Sequence, residues 1–229
     1  MNLDLDKELH KHIDISYRNF QSKLIKDSNI LGVRLPIIKK IANLVPNKEI
    51  NNYIYNYQFQ PYLESKILFS LFIGKADITY EMRCQFLKKL IKHTDNWEIC
   101  DSAAAHQKWI RKNKNAFLKE IDYYLQENSI WSQRFAYVCL LKYYISDEYL
   151  EQIYEFCSKR YLQSYYVQMA IAWLLCEMLV KYPKRTEYFL TQNKIDSFTY
   201  KKVLQKAIES KKITSDKKRF TKHFYSRLF

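Results

Sequence analysis

Asp101 is the residue in this chain whose type and setting most suggest chemistry. It lies in NWEICDSAAAH (96–106), a stretch that otherwise reads as a small-residue helix packing into a core. An ionised carboxylate in such a place is costly unless something compensates it. The helix is expected to begin at Asp95, with Glu98 at capping-box spacing. Asp101 is then more than a turn past the cap, and capping does not account for it. Trp97, four residues earlier, shares its helical face, and Ala103, Ala104 and Ala105 leave room beside it. A carboxylate next to an indole face suits a cationic or electron-poor group.

Two further positions belong to the same chemistry. Arg134 stands in the aromatic and aliphatic run SIWSQRFAYVCLL, three residues after Trp131 on one helical face. A guanidinium does not lose its charge there and needs an anion, either Asp101 or a phosphate. Trp173 sits in the middle of MAIAWLLCEML. Taken singly, a Trp at helical spacing is more often core than site, and Asp101 with Arg134 reads equally well as a buried structural salt bridge. Spacing alone leaves both readings open.

The elements that must position these residues are helices. The chain has 229 residues, enough to bury a substantial core, and one domain spanning residues 1–229 is the default expectation. It has only two glycines, Gly32 and Gly74, and four prolines, too few for the tight turns of a sheet protein. Apolar positions Leu9, Ile13, Tyr17, Phe20 and Leu24 predict one continuous amphipathic helix over 4–25. Pro36 suits the first turn of the next helix. Further helices are predicted near 36–44, 47–57, 61–73, 77–92, 96–108, 115–126, 131–144, 147–160, 164–181, 186–193, 197–210 and 214–228.

A weak internal repeat runs through the second half. QRFAYVCLL (133–141) aligns with VQMAIAWLL (167–175) at an offset of 34, and Trp97 and Trp131 are also 34 apart. Such a period across helix pairs marks an α-solenoid, whose inner helices line a concave face. Asp101, Arg134 and Gln168 fall at roughly equivalent repeat positions, so they are candidates to share that face. A globular helical bundle is the other architecture this pattern allows.

Charge points to a polyanion. Lys and Arg number 38 against 24 Asp and Glu, a net +14. From Lys201 onward there are ten bases and two acids. Between Asp101 and Glu120 lie Lys108, Arg111, Lys112, Lys114 and Lys119 with no acid. Clustered stripes of this kind suit nucleic acid, although the Lys, Asn and Ile content also fits codon drift in an AT-rich genome. The five cysteines show no zinc spacing and read as small core residues in a reducing compartment. The N-terminus, MNLDLDKELHK, is polar and reads as no signal peptide. The apolar stretch around Met169–Leu175 is too short to cross a bilayer. No membrane association and a cytoplasmic location are expected.

The ordered set of segments resembles the AlkD family of alkylpurine DNA glycosylases, built from HEAT-like repeats. LGVRLP (31–36) is similar to the family's loop–Pro–helix entry, and NWEICD (96–101) to its Trp-x-x-x-Asp segment. SIWSQRFAYVCLLKYY (129–144) is similar to its Trp-x-x-Arg helix, and YYVQMAIAWLLCE (165–177) to its Gln-x-Ala-Ile-x-Trp helix. The resemblance implies an all-α superhelix of HEAT-like pairs with a basic concave face. It implies hydrolysis of the N-glycosidic bond of cationic 3-alkyl or 7-alkyl purines in double-stranded DNA by a monomer, without a base-flipping pocket, a metal or another cofactor. Asp101 becomes the catalytic carboxylate, Trp97 and Trp173 the aromatic walls around the sugar, and Arg134 the cation on the backbone. Lys108, Arg111 and Lys112, with Lys201, Lys202, Lys206, Lys211 and Lys212 of the cluster running to Arg227, become the phosphate contacts.

One expectation runs against activity. Excising members of the family carry two short helices before the loop–Pro entry, and the second grips damaged duplex. The single helix predicted over 4–25 resembles instead a subfamily that lacks the second helix and shows no evident excision. The alternative function is therefore an inactive relative that binds nucleic acid or protein, and a third is a plain scaffold for acidic peptides.

Overall fold

A computed structural model describes residues 3–26 and 28–213. The described residues form thirteen α-helices and two short 3-10 turns, with no strand and one isolated parallel bridge between Asn29 and Tyr62. The helix predicted over 214–228 lies outside the described residues, as does the part of the basic cluster beyond Ile213. The all-α fold class expected from the sequence is the one observed among the described residues. The described residues fall into two compact units, one ending at Asn113 and the other beginning at Lys114.

The first unit contains α1 (Leu5–His10), α2 (Ile15–Leu24), α3 (Leu35–Leu44), α4 (Asn47–Tyr55), α5 (Leu63–Lys75), α6 (Tyr80–Lys92) and α7 (Trp97–Ala105). It closes with a 3-10 turn over Lys108–Lys112. Helix α5 is its axis: every residue from Leu63 to Ile73 is buried. Helices α3 and α7 flank α5, while α4 and α6 also pack on it. A helix apolar on all sides is what such enclosure requires. The second unit contains α8 (Lys114–Gln126), α9 (Ile130–Tyr143), α10 (Leu150–Ser158), α11 (Tyr165–Lys181), α12 (Pro183–Thr191) and α13 (Ser197–Glu209). Here α9, α11 and α13 pack side by side in one layer, with α8 against α9 and α12 against α11. This alternation of layer helices with flanking helices is the helix-pair stacking that the period of 34 foreshadows.

The N-terminal segment corrects the sequence reading. Residues 4–25 are not one helix: α1 ends at His10 and α2 starts at Ile15. The break is built by Asp14. Its side chain accepts from the Tyr17 N–H at 2.9 Å, capping α2, and its own N–H donates to the Gly32 carbonyl at 3.1 Å. Arg34 holds the other carboxylate oxygen at 3.1 Å, and the two partners draw the Asp14 carboxyl below its usual range. An Asp before Ile-Ser-Tyr is an N-cap signal, and the i, i+4 apolar rhythm masked it. That rhythm did not report burial either, since Phe20 and Leu24 are more than half exposed. The ground for placing the chain with relatives that lack the second helix is thereby removed.

The loop that ends this segment is pinned from inside. Glu64, fully buried on α5, accepts from the N–H groups of Leu31, Gly32 and Val33 at 3.0, 2.7 and 3.0 Å. Gly32 sits at φ +89°, where an added Cβ would come within 2.6 Å of both Asp14 O and Arg18 Cβ. Only glycine meets both demands. Pro36 lies in the first turn of α3, as the sequence predicts.

Candidate functional site

In the first unit the site is one side of α7. Its buried residues are Ile99, Cys100, Ser102, Ala103 and Ala104. Trp97, Glu98 and Asp101 are half-buried and Ala105 is exposed; Trp97, Asp101 and Ala105, spaced i, i+4, i+8, form an accessible stripe along the helix, with Glu98 beside it. Asp101 is therefore not sealed in the core, which eases the solvation cost of its charge. The helix begins one residue later than expected. Asn96 is the N-cap, accepting from the N–H groups of Glu98 and Ile99 at 3.0 and 3.1 Å. Asp95 instead binds Lys66, a buried ammonium, at 2.6 Å. No capping box forms, because Glu98 turns away.

The Glu98 carboxylate accepts from Gln21 Nε2 at 2.8 Å, tying α2 to α7 one turn from Asp101. Burial raises the Glu98 pKa above the ordinary carboxylate value, and the neighbouring charges of Glu64 and Asp101 push the same way, while the Gln21 bond opposes them. Gln21 is itself buried, the one buried residue of α2. Sequence reading missed this contact, since Gln21, four residues after Tyr17, is a polar side chain at the edge of the apolar stripe and nothing local marks it as buried.

In the second unit, Arg134 on α9 is 7% exposed and donates from Nη1 to the Tyr166 carbonyl at 2.9 Å. The Trp131 ring packs against the Tyr166 ring with centroids 5.0 Å apart. Trp173 on α11 is half-buried, and the Lys142 ammonium lies 4.9 Å from its ring centroid. That indole already receives a cation, a contact the sequence did not single out. Gln168, expected to match Arg134 one repeat on, is buried and donates to Gln163 Oε1 and Asp196 Oδ1, both at 3.0 Å. Asp196 caps α13, so Gln168 serves the packing of this unit.

The expected phosphate contacts separate into groups. Lys108, Arg111 and Lys112 are all exposed on the 3-10 turn. Lys201, Lys202 and Lys206 are half-buried on α13, and Lys202 donates to Gln205 at 2.9 Å. Lys211 and Lys212 are exposed, but Lys212 is bonded to both oxygens of Glu177 at 2.9 and 2.8 Å. All five cysteines are buried thiols. Among the described residues no cluster of three His, Cys, Asp or Glu side chains is arranged to hold a metal ion. No helix among them is long and apolar enough to cross a membrane.

A family model described as DNA alkylation repair enzyme matches residues 5–210. The chain belongs to this family. The match takes in α1 to α13, and so includes Asp14 and the Gly32 loop as well as Trp97, Asp101, Arg134 and Trp173. Membership gives the protein a role in repairing alkylated DNA. A search of curated proteins finds no match.

Proposed function

We propose that this protein is a monofunctional DNA glycosylase, releasing 3-alkyl or 7-alkyl purines from duplex DNA. The observation that carries the reading is the accessible stripe of α7: a carboxylate one turn from an indole, on the open side of a helix whose Ile99, Cys100, Ser102, Ala103 and Ala104 are buried. A purine alkylated at N3 or N7 is cationic, and its glycosidic bond is already weak. As that bond lengthens, positive charge develops on C1′ and the ring oxygen, as in glycoside hydrolysis. Asp101 stabilises this charge electrostatically and orients a water for attack on C1′. The C1′–N bond breaks with its electron pair moving to the purine, which leaves as a neutral base. A C1′–O bond forms, and the water proton passes to Asp101 or solvent.

Trp97 supplies a π-face to the cationic sugar, an interaction of about 0.5–2 kcal/mol. Trp173 plays the same part in the second unit, where the Lys142 ammonium lies 4.9 Å from its ring centroid. Arg134 and the exposed bases Lys108, Arg111 and Lys112 contact phosphates, so binding is salt-sensitive. The presence of both α1 and α2 supports excision, because excising relatives are expected to carry two helices before the loop–Pro entry.

The test is release of free base from a duplex containing 7-methylguanine. Asp101→Asn should reduce the rate by about 10²–10³-fold, the loss typical of removing one preorganised electrostatic group. No release above spontaneous depurination at enzyme excess would refute the glycosylase reading. Salt-dependent binding of the same duplex, in the absence of release, would identify a binding module.

A further inference from the structure

The stripe of α7 leads into a second feature. Ala105, one turn past Asp101 on the same face, lines a pocket of about 430 Å³ together with Lys39 and Asn43 of α3, Leu71, Gly74 and Lys75 of α5, His106 and Lys108. Three lysines converge on it, and no acid lines it. We propose that this pocket binds a phosphate group, supplied by the backbone of the DNA duplex. The choice of DNA as the source rests on the function proposed above; the preference for phosphate rests on the pocket alone.

Helices α3, α5 and α7 all end at the pocket, and each C-terminus carries about −0.5 of an elementary charge, or about −1.5 together. The three ammonium groups contribute about +3, so the pocket remains positive and wants an anion. Lys75 donates to Asn43 Oδ1, which ties together two residues of the lining. Burial lowers the Lys75 pKa, a cost that a bound anion would offset. The floor depends on Gly74: an added Cβ would come 2.3 Å from the His106 carbonyl oxygen, so only glycine lets α5 approach the end of α7 this closely.

His106 makes the pocket responsive. Its Nδ1 lies 3.2 Å from Ser70 Oγ and 3.3 Å from Ser102 Oγ. The Ser70 hydroxyl already donates to the Ile67 carbonyl at 2.7 Å, so toward Nδ1 it can only accept. Burial holds the imidazole pKa down to about 4, and the charges of Lys39 and Lys108 push it the same way. A phosphate among the lysines cancels that repulsion and favours proton uptake. The position suits the reaction: four residues along α7 is about 6 Å of rise, against 3.4 Å per nucleotide along one DNA strand. A phosphate within about two nucleotides of the sugar at Asp101 is in range.

The experiment follows the His106 ring proton by NMR across pH in the full chain, with the signal assigned through His106→Gln. Arms contain sodium chloride, inorganic phosphate or unmodified duplex at equal ionic strength. Both phosphate and duplex should raise the His106 pKa by about one unit or more relative to chloride, the range for an opposite charge within hydrogen-bonding distance. Lys39→Gln and Lys75→Gln should each abolish the response to phosphate and lower the salt slope of duplex binding by about 1. A response to inorganic phosphate but not to duplex would overturn DNA as the source. No response to either would overturn the site. Base release is scored separately, so absent excision with an intact His106 response counts against the glycosylase and not against this pocket.

Discussion

Glu64→Gln tests the support of the site. Glu64 is fully buried and accepts three backbone N–H groups, those of Leu31, Gly32 and Val33. The Gln carbonyl oxygen can replace Oε1 and keep Gly32 and Val33, but the amide nitrogen then faces the Leu31 N–H, donor against donor. One charge-assisted bond is lost outright, about 1.5–3 kcal/mol, and two fall from charged to neutral strength, about 0.5–1 kcal/mol each. Relief of a buried charge offsets part of this, leaving a net cost of about 2–4 kcal/mol. Urea unfolding should show a lower midpoint at unchanged m. Amide exchange should show lost protection at Leu31, Gly32 and Val33 specifically. Because Gly32 O accepts the Asp14 N–H that starts α2, the Gln21–Glu98 contact should loosen with it. A stability change under about 0.5 kcal/mol, with protection of the three amides unchanged, would refute the view that Glu64 sets this loop.

Other perturbations follow from the same geometry. Gly32→Ala should cost about 2–5 kcal/mol, combining the positive φ with the 2.6 Å approach to Asp14 O, and thermal unfolding reads it directly. Glu98→Gln keeps an acceptor for Gln21 and removes a carboxylate whose folded pKa is raised. The stability tied to that raised value is present below the unfolded pKa and is lost as pH rises through the folded one. The variant should therefore gain on the wild type between pH 4 and pH 7, and urea midpoints at the two pH values check the sign. His106 titrates in the opposite sense. Its folded pKa of about 4 lies below the ordinary 6.5, so its contribution is complete above about 6.5 and drains away as pH falls toward 4. His106→Gln should flatten that part of the stability profile.

Much of the fold was legible locally. Helices end where Asn, Asp, Ser and Pro interrupt apolar rhythm, and Asn96, Ser129, Pro36 and Pro183 each lie at or just inside a helix start. The open stripe of Trp97 and Asp101 was readable because residues four apart share a face whatever the tertiary context. The break at residues 11–14 was not read, although Asp14 announces it, because five apolar residues at helical spacing looked like one buried stripe. Two of them, Phe20 and Leu24, are largely exposed, and periodicity carries no information about what covers a face.

Helix content, the two glycines, the clustered charge and the pairing of Asp101 with Trp97 were all readable from the linear chain, since each depends on composition or on spacing within one turn. Which side chains serve packing and which stay accessible emerged from the way the helices pack. Gln168 is drawn to the α13 cap, Lys142 approaches one face of Trp173, Gln21 reaches Glu98 across 77 residues, and Lys39, Lys75 and Lys108 line one pocket with His106. Those contacts join residues far apart in the chain, and their energies depend on distance and burial that appear only once the helices have packed.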